Sequence, residues 1–225
     1  MENTEEKPAE KTATVNRHWA FAVPFFTTVL PDAAALNQRL IAELNSSRPL
    51  HTLSHVHNGR AENTYVDPAH VPSVATVFNF AESIASKLLG KPLVIPRHME
   101  PGPSYWFWFN ETAKRGGVTN LHNHWSPWTY FSGCYYVKVP PKSGNLVFSR
   151  ARSQTVFDGK ALPEAAFFAD VEIPPGEGLL ILFPSWVEHL VRPNQTDEPR
   201  ISLAFNLCLP DGQKGHFTAS AVVRG

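Results

Sequence analysis

Cysteine is scarce. Cys134 and Cys208 are the only two in 225 residues, and both stand inside apolar runs, "FSGCYYV" and "AFNLCLP". Two such positions do not make a disulfide framework; they predict buried free thiols in a reducing, cytoplasmic compartment. An excess of charge is missing as well. Twenty basic residues balance twenty acidic ones, so no whole-molecule field draws the chain to phosphates, and nucleic acid is not an expected partner. No segment approaches the roughly 18 continuous apolar residues that a bilayer crossing needs, so no membrane helix is expected. The opening stretch "MENTEEKPAEKTATV" is charged, bears proline and has no apolar core, so residues 1–15 are predicted to form a disordered tail. Neither G-x-G-x-x-G nor the Walker pattern occurs, and no internal repeat is found, which removes the main support for a nucleotide-binding fold.

What the chain does have is apolar content, 43%, enough at this length for residues 16–225 to fold as a single domain. "HWAFAVPFFTTVL" has the aromatic and β-branched character of a strand bent at Pro24, added to the main sheet. "DAAALNQRLIAELNSS" begins with Asp32, a suitable N-cap, and places Ala35, Leu36, Leu40, Ile41 and Leu44 at helical spacing. The polar stretch from His51 to His70 reads as a solvated loop or lid. "PSVATVFNFAESIASKLLG" predicts a second helix over 72–89, with proline early and glycine at its end. From Lys91 onward the texture changes to short apolar runs, "PLVIP", "SYWFWFN", "FSGCYYVKVP", "NLVFSR", "AAFFADVEIP", "GLLILFP" and "RISLAFNLCLP", separated by Pro and Gly clusters. This is the pattern of a mainly β sandwich or barrel, with the helices N-terminal to it.

His122 and His124 in "NLHNHWSPW" are two apart, so an extended chain projects both imidazoles to one side. Two meanings are open: two ligands of a metal site, or surface histidines on a loop. A third ligand would come from His189 in "GLLILFPSWVEHLVRPN", where a buried strand and a proline turn precede the histidine. Three histidines alone do not choose among Fe, Zn, Cu and Ni. Arg200 and Ser202 in "PRISLAFNL" again share one face of an apolar strand, and a buried arginine requires a fixed anion. That anion is either an internal partner, Asp197 or Glu198, or a ligand carboxylate gripped by the guanidinium fork with the Ser202 hydroxyl beside it.

These motifs, H-x-H, a distant histidine in "FPSWVEH" and then R-x-S, resemble the 2-oxoglutarate and iron(II)-dependent oxygenase superfamily. More narrowly, "LHNHWSPWTYFSGCYYV" with "FPSWVEHLVRPNQTDEPRISLAFN" resembles a branch of little-characterised oxygenases, over most of residues 100–209. The resemblance implies a double-stranded β-helix, a jelly roll related to that of cupins. It implies Fe(II) at His122, His124 and His189, with 2-oxoglutarate and O2 as co-substrates. The far carboxylate of 2-oxoglutarate falls to Arg200 and Ser202, assisted by Tyr136. One departure stands out: the superfamily's second metal position is a carboxylate, whereas here it is His124, and Glu188, next to His189, is the nearest acidic alternative.

The implied activity is hydroxylation of a small-molecule or amino-acid-like substrate with release of succinate and CO2. Trp125 and Trp128 flank the ligand segment as substrate walls. Trp106, Trp108, Tyr130 and Trp186 are further aromatic candidates for either pocket or core, Arg152 and Arg150 lie on a loop where they meet a substrate carboxylate or are simply solvated, and Asn110 either bonds a ligand histidine or 2-oxoglutarate or is an ordinary strand-end asparagine. A cupin dioxygenase or isomerase is the rival enzyme, but no glutamate follows H-x-H between Trp125 and Asn145, and Trp186 replaces the cupin glycine. A jelly-roll binding module is the non-enzymatic alternative, and a homodimer through the N-terminal helices is left open.

Overall fold

A computed structural model describes residues 23–97, 108–126, 129–149 and 170–210, except for the side chains of His55 and Phe109. The elements run β1 (Phe26–Val29), α1 (Ala33–Ser46), β2 (Thr52–His57), β3 (Ala61–Tyr65), α2 (Val74–Leu89), β4 (Trp108–Ala113), β5 (Thr119–His122), β6 (Thr129–Lys138), β7 (Leu146–Phe148), β8 (Val171–Ile173), β9 (Leu179–Pro184), β10 (His189–Val191) and β11 (Arg200–Cys208). They form a seven-stranded sheet ordered β1-β9-β6-β11-β4-β3-β2 and a four-stranded sheet ordered β5-β10-β7-β8. This is the mainly β, double-stranded β-helix architecture with two helices expected from the motifs, although the two sheets face each other without closing into a barrel. Among the described residues, no helix is long and apolar enough to cross a membrane.

The helices cover one face of the large sheet. Leu36, Leu40 and Leu44 of α1 are buried, as are Val74, Val77, Phe78, Ala81 and Ala85 of α2. They pack on Tyr135, Val137, Leu180, Leu182, Leu203, Phe205 and Leu207 of the central strands. Each large apolar side chain removed from water in this way contributes about 1.5–3 kcal/mol. Phe78 meets Trp108 and Phe205 edge-on at 5.3 and 5.9 Å between ring centroids. A methyl at Gly133 would run into the Phe205 ring, so this strand position has room only for glycine. The opposite face of the large sheet turns Tyr136, Ile181 and Phe183 toward Leu146, Phe148, Ile173 and Val191 of the small sheet.

Several local expectations change. Asp32 sits at the N-cap of α1 but in a left-handed conformation (φ 53) with no side-chain cap. The capping carboxylate belongs instead to Glu43, which reaches from α1 to accept from the backbone N–H and hydroxyl of Ser73 at the start of α2 (2.9 and 2.7 Å). Ala35 is exposed, while Asn37 takes a buried place and accepts from the Tyr135 hydroxyl at 2.7 Å. The stretch from His51 to His70 is not a loop; it is chiefly the β2–β3 hairpin, which extends the large sheet through β4. Its turn is built on Asn58 and Gly59, both at positive φ (43 and 72), as a tight hairpin requires. "PLVIP" forms no strand, only a bridge between Val94 and Cys208. The expected helix over 72–89 is present as Val74–Leu89, stopped by Gly90 at φ 70. The tail predicted over 1–15 lies outside the described residues.

Candidate metal centre

His122 is the last residue of β5, and His189 is the first of β10. The two strands pair antiparallel with these residues directly opposite, which brings their rings to 4.2 Å between centroids. His124 lies just beyond the end of β5. Its backbone N–H donates to the carbonyl of Ser185 at 2.8 Å, and the Ser185 hydroxyl is itself tied to the Thr129 carbonyl at 2.7 Å. The proline turn of "FPSW" therefore anchors the chain that carries His124. The His124 ring stands 4.9 Å from that of His122 and 5.1 Å from that of His189.

The imidazoles of His122 and His189 each have a backbone partner at Nδ1. His122 Nδ1 lies 2.7 Å from the carbonyl of Asn120, and His189 Nδ1 lies 2.9 Å from that of Val187. A carbonyl only accepts, so each Nδ1 carries the proton and each Nε2 keeps its lone pair for a metal. The ligand atoms of the three histidines lie within 4.8 Å of one another. Two metal–nitrogen bonds of about 2.1 Å at tetrahedral or octahedral angles set their nitrogens about 3.0–3.4 Å apart, so the triangle closes on an ion when the rings draw together by up to about 1.8 Å. Burial holds the His189 pKa well below its ordinary 6.5, helped by His122 and His124 beside it, and against the Val187 carbonyl that favours the charged ring. A histidine kept neutral in this way is ready to bind a cation. Glu188 does not belong to the convergent group.

The histidines open onto a cleft between the sheets, lined also by Glu111, Thr119, Cys134, Tyr136, Arg200 and Ser202. Ser202 lies at the middle of this floor, facing Tyr136 on β6 and Glu111 on β4. Burial raises the Tyr136 pKa well above 10, so its hydroxyl stays protonated and can donate. Cys134 is hydrogen-bonded to both Tyr136 and Ser202, and burial, with Glu111 nearby, pushes its thiol up to about 12.

Arg200 is 1% exposed. Its anion is neither Asp197, which pairs with Arg115, nor Glu198, which pairs with Lys138. It is Glu111, whose Oε1 accepts from Arg200 Nη2 at 2.6 Å. Arg200 Nη1 donates to the carbonyl of Ser143 at 2.9 Å. Glu111 Oε2 accepts in turn from the Thr119 hydroxyl at 2.8 Å, on the strand that carries His122. Arg200 Nε is buried and has no hydrogen-bond partner.

Asn110, one residue from Glu111, points the other way. Strand alternation sends it to the helix side, where its amide lies 3.2 Å from the Thr112 hydroxyl, away from the histidines. Trp108 shares that face and is core, and Tyr130 likewise packs on the helix-side core. Trp125 is 66% exposed beside His124. Trp106, Trp128, Arg150 and Arg152 lie outside the described residues. Glu111 and Thr119 escaped the sequence reading. The only sign of Glu111 was an acidic residue set inside an apolar strand, out of phase with its aromatic neighbours.

Residues 106–206 match the family model described as "Putative 2OG-Fe(II) oxygenase". Over that stretch, a little under half of the chain, the sequence is similar to the 2OG-Fe(II) oxygenases. Fe(II) and 2-oxoglutarate are the metal and co-substrate of such an oxygenase. No curated protein matches the chain. Among solved structures, a prolyl-4-hydroxylase from Pseudomonas putida is 16% identical, with a TM-score of 0.56, covering 84% of this chain and 94% of its own. The epimerase SnoN of nogalamycin biosynthesis, solved with Fe3+, alpha ketoglutarate and nogalamycin RO, is 15% identical at TM-score 0.60, covering 83% and 79%. HygX from Streptomyces hygroscopicus, solved with nickel, 2-oxoglutarate and hygromycin B, is 14% identical at TM-score 0.55, covering 84% of each chain. At such identities the likeness establishes the fold alone.

Proposed function

We propose that this protein is a 2-oxoglutarate-dependent oxygenase that binds Fe(II) through His122, His124 and His189, and seats 2-oxoglutarate with its far carboxylate against Arg200, Ser202 and Tyr136. It would then oxidise a C–H bond of a small-molecule or amino-acid-like substrate, releasing succinate and CO2. The observation that carries this is the convergence of three imidazoles, two with their tautomer fixed by a backbone carbonyl, on the same cleft as a buried arginine with an unused Nε–H. Bound iron with 2-oxoglutarate and O2 supplies the oxidising chemistry.

The chain's own residues bind, orient and shield. His122 and His189 are set by strand pairing and His124 by the Ser185 carbonyl, so the metal-facing edge is organised before any ligand arrives. Ser202 and Tyr136 present hydroxyls to a carboxylate from neighbouring strands. Phe183, Leu146 and Val191 wall the cleft with apolar surface that excludes water. Trp125 and Trp186, exposed by 66% and 46% and each within three residues of a histidine ligand, would supply an apolar rim for the substrate. Substrates that are small, or that present an amino-acid-sized group, suit such a rim.

The test is succinate release from 2-oxoglutarate by Fe(II)-loaded protein, followed by NMR while candidate small molecules, amino acids and peptides are screened. Succinate that depends on iron and is lost in His189→Ala supports the assignment. Iron binding without any 2-oxoglutarate binding removes it.

A further inference from the structure

We infer that Glu111 makes the far end of the cleft electrically neutral and amide-compatible, so that this oxygenase accepts 2-oxo acids ending in a carboxamide about as well as those ending in a carboxylate. The inference rests on the proposed function, which supplies the orientation of the 2-oxo acid.

Arg200 cannot act as a free cation here. Its Nη2 is bonded to Glu111 Oε1 at 2.6 Å, and its Nη1 to the carbonyl of Ser143 at 2.9 Å and of Gly144 at 3.4 Å. Glu111 is 6% exposed and held from its other side by the Thr119 hydroxyl at 2.8 Å. A second anion brought to the guanidinium therefore meets a carboxylate already in place, in surroundings where screening by water is weak.

The residues that line this end of the cleft include Arg200, whose buried Nε–H has no partner, Ser202 and Tyr136 with their hydroxyls, and Glu111 with its carboxylate. That is a set of donors beside an acceptor. A carboxylate offers only acceptors, whereas a carboxamide offers an oxygen to the donors and an N–H to Glu111. The exchange also fits His124. Where the usual metal site carries a carboxylate and an uncompensated arginine, this chain has a neutral imidazole on the metal and the carboxylate beside the arginine. The formal charge around a bound 2-oxo acid is the same, but the positive end has moved to the metal. The near carboxylate and keto group gain attraction, and the far end loses it.

The experiment uses an unreactive pair: oxalyl-glycine, in which an N–H replaces one methylene of 2-oxoglutarate, and its carboxamide, oxalyl-glycinamide. Both are titrated calorimetrically into the full chain loaded with Mn(II). The expected affinities of the wild type agree within about tenfold, and in Glu111→Gln the ratio moves toward the carboxylate by at least about tenfold, each tenfold corresponding to 1.4 kcal/mol. A wild-type preference for the carboxylate beyond tenfold, or a ratio that Glu111→Gln leaves unchanged, overturns the inference while leaving the proposed function intact. Failure of both ligands to bind metal-loaded protein removes the two together. The wild-type ratio needs no substitution, so a Glu111→Gln chain that does not fold still leaves the inference testable.

Discussion

His122 and His189 face each other across the β5–β10 pair, with their rings 4.2 Å apart and a backbone carbonyl on each Nδ1. The pairing of two strands, more than any loop, sets two of the three candidate metal ligands. His124 lies beyond the strand pair, and its backbone N–H is bonded to the Ser185 carbonyl.

Metal affinity should divide accordingly. His122→Ala or His189→Ala is expected to weaken Fe(II) binding by at least about 100-fold, near 3 kcal/mol. His124→Ala should cost less, about tenfold, because water can fill the position it leaves. Anaerobic titration with a competing chelator measures all three, and an unchanged affinity for His124→Ala would reduce the centre to two protein ligands.

The metal-free protein should lose stability in mild acid. His189 has a folded pKa below its ordinary 6.5, so below that value the unfolded chain binds a proton that the folded chain resists. Its contribution is intact above pH 6.5 and is lost as the pH falls from there toward the depressed folded value. Thermal unfolding between pH 7.5 and 5 should show this slope, and His189→Gln should flatten it.

Both thiols should be sluggish. Burial pushes Cys134 up to about 12 and Cys208 to about 11. Since the thiolate is the reactive form, alkylation of the native chain near pH 7.5 should run at least about a hundredfold slower than for a free cysteine. Mass spectrometry after timed iodoacetamide treatment reads the rate, and fast labelling of Cys134 would mean that its place in the cleft is open to solvent.

Gly144 should not tolerate a side chain. It sits at φ 95, and a methyl there would collide with the backbone carbonyl of Arg192. Gly144→Ala is expected to cost about 1–3 kcal/mol and to disturb the segment whose carbonyls hold Arg200. Chemical denaturation gives the first figure, and a parallel loss of 2-oxoglutarate affinity would show the second effect.

Much of this was legible in the chain. The two helices announced themselves through apolar spacing and Gly90, and the succession of short apolar runs gave the β architecture. The spacings H-x-H and R-x-S were enough to gather His122, His124, Arg200 and Ser202, because period-two alternation is local. What stayed hidden was non-local. The partner of Arg200 lies 89 positions away, on a strand that becomes its neighbour only after folding, so nearby Asp197 and Glu198 looked sufficient. Asn110 and Glu111 show the same limit, since alternation separates their faces but does not say which one is the cleft. The β2–β3 hairpin could have been found: Asn58–Gly59 is a strong turn signal, obscured by the polar and histidine-rich composition around it.

β11 sends Ser202 and Ala204 into the cleft and Leu203, Phe205 and Leu207 into the helix-side core. Inserting or deleting one residue within it would exchange chemistry for packing along its whole length. Conversely, an engineer seeking new selectivity can vary Ala204, which lines the cleft, while Arg200, Ser202 and the odd-numbered core positions are kept constant.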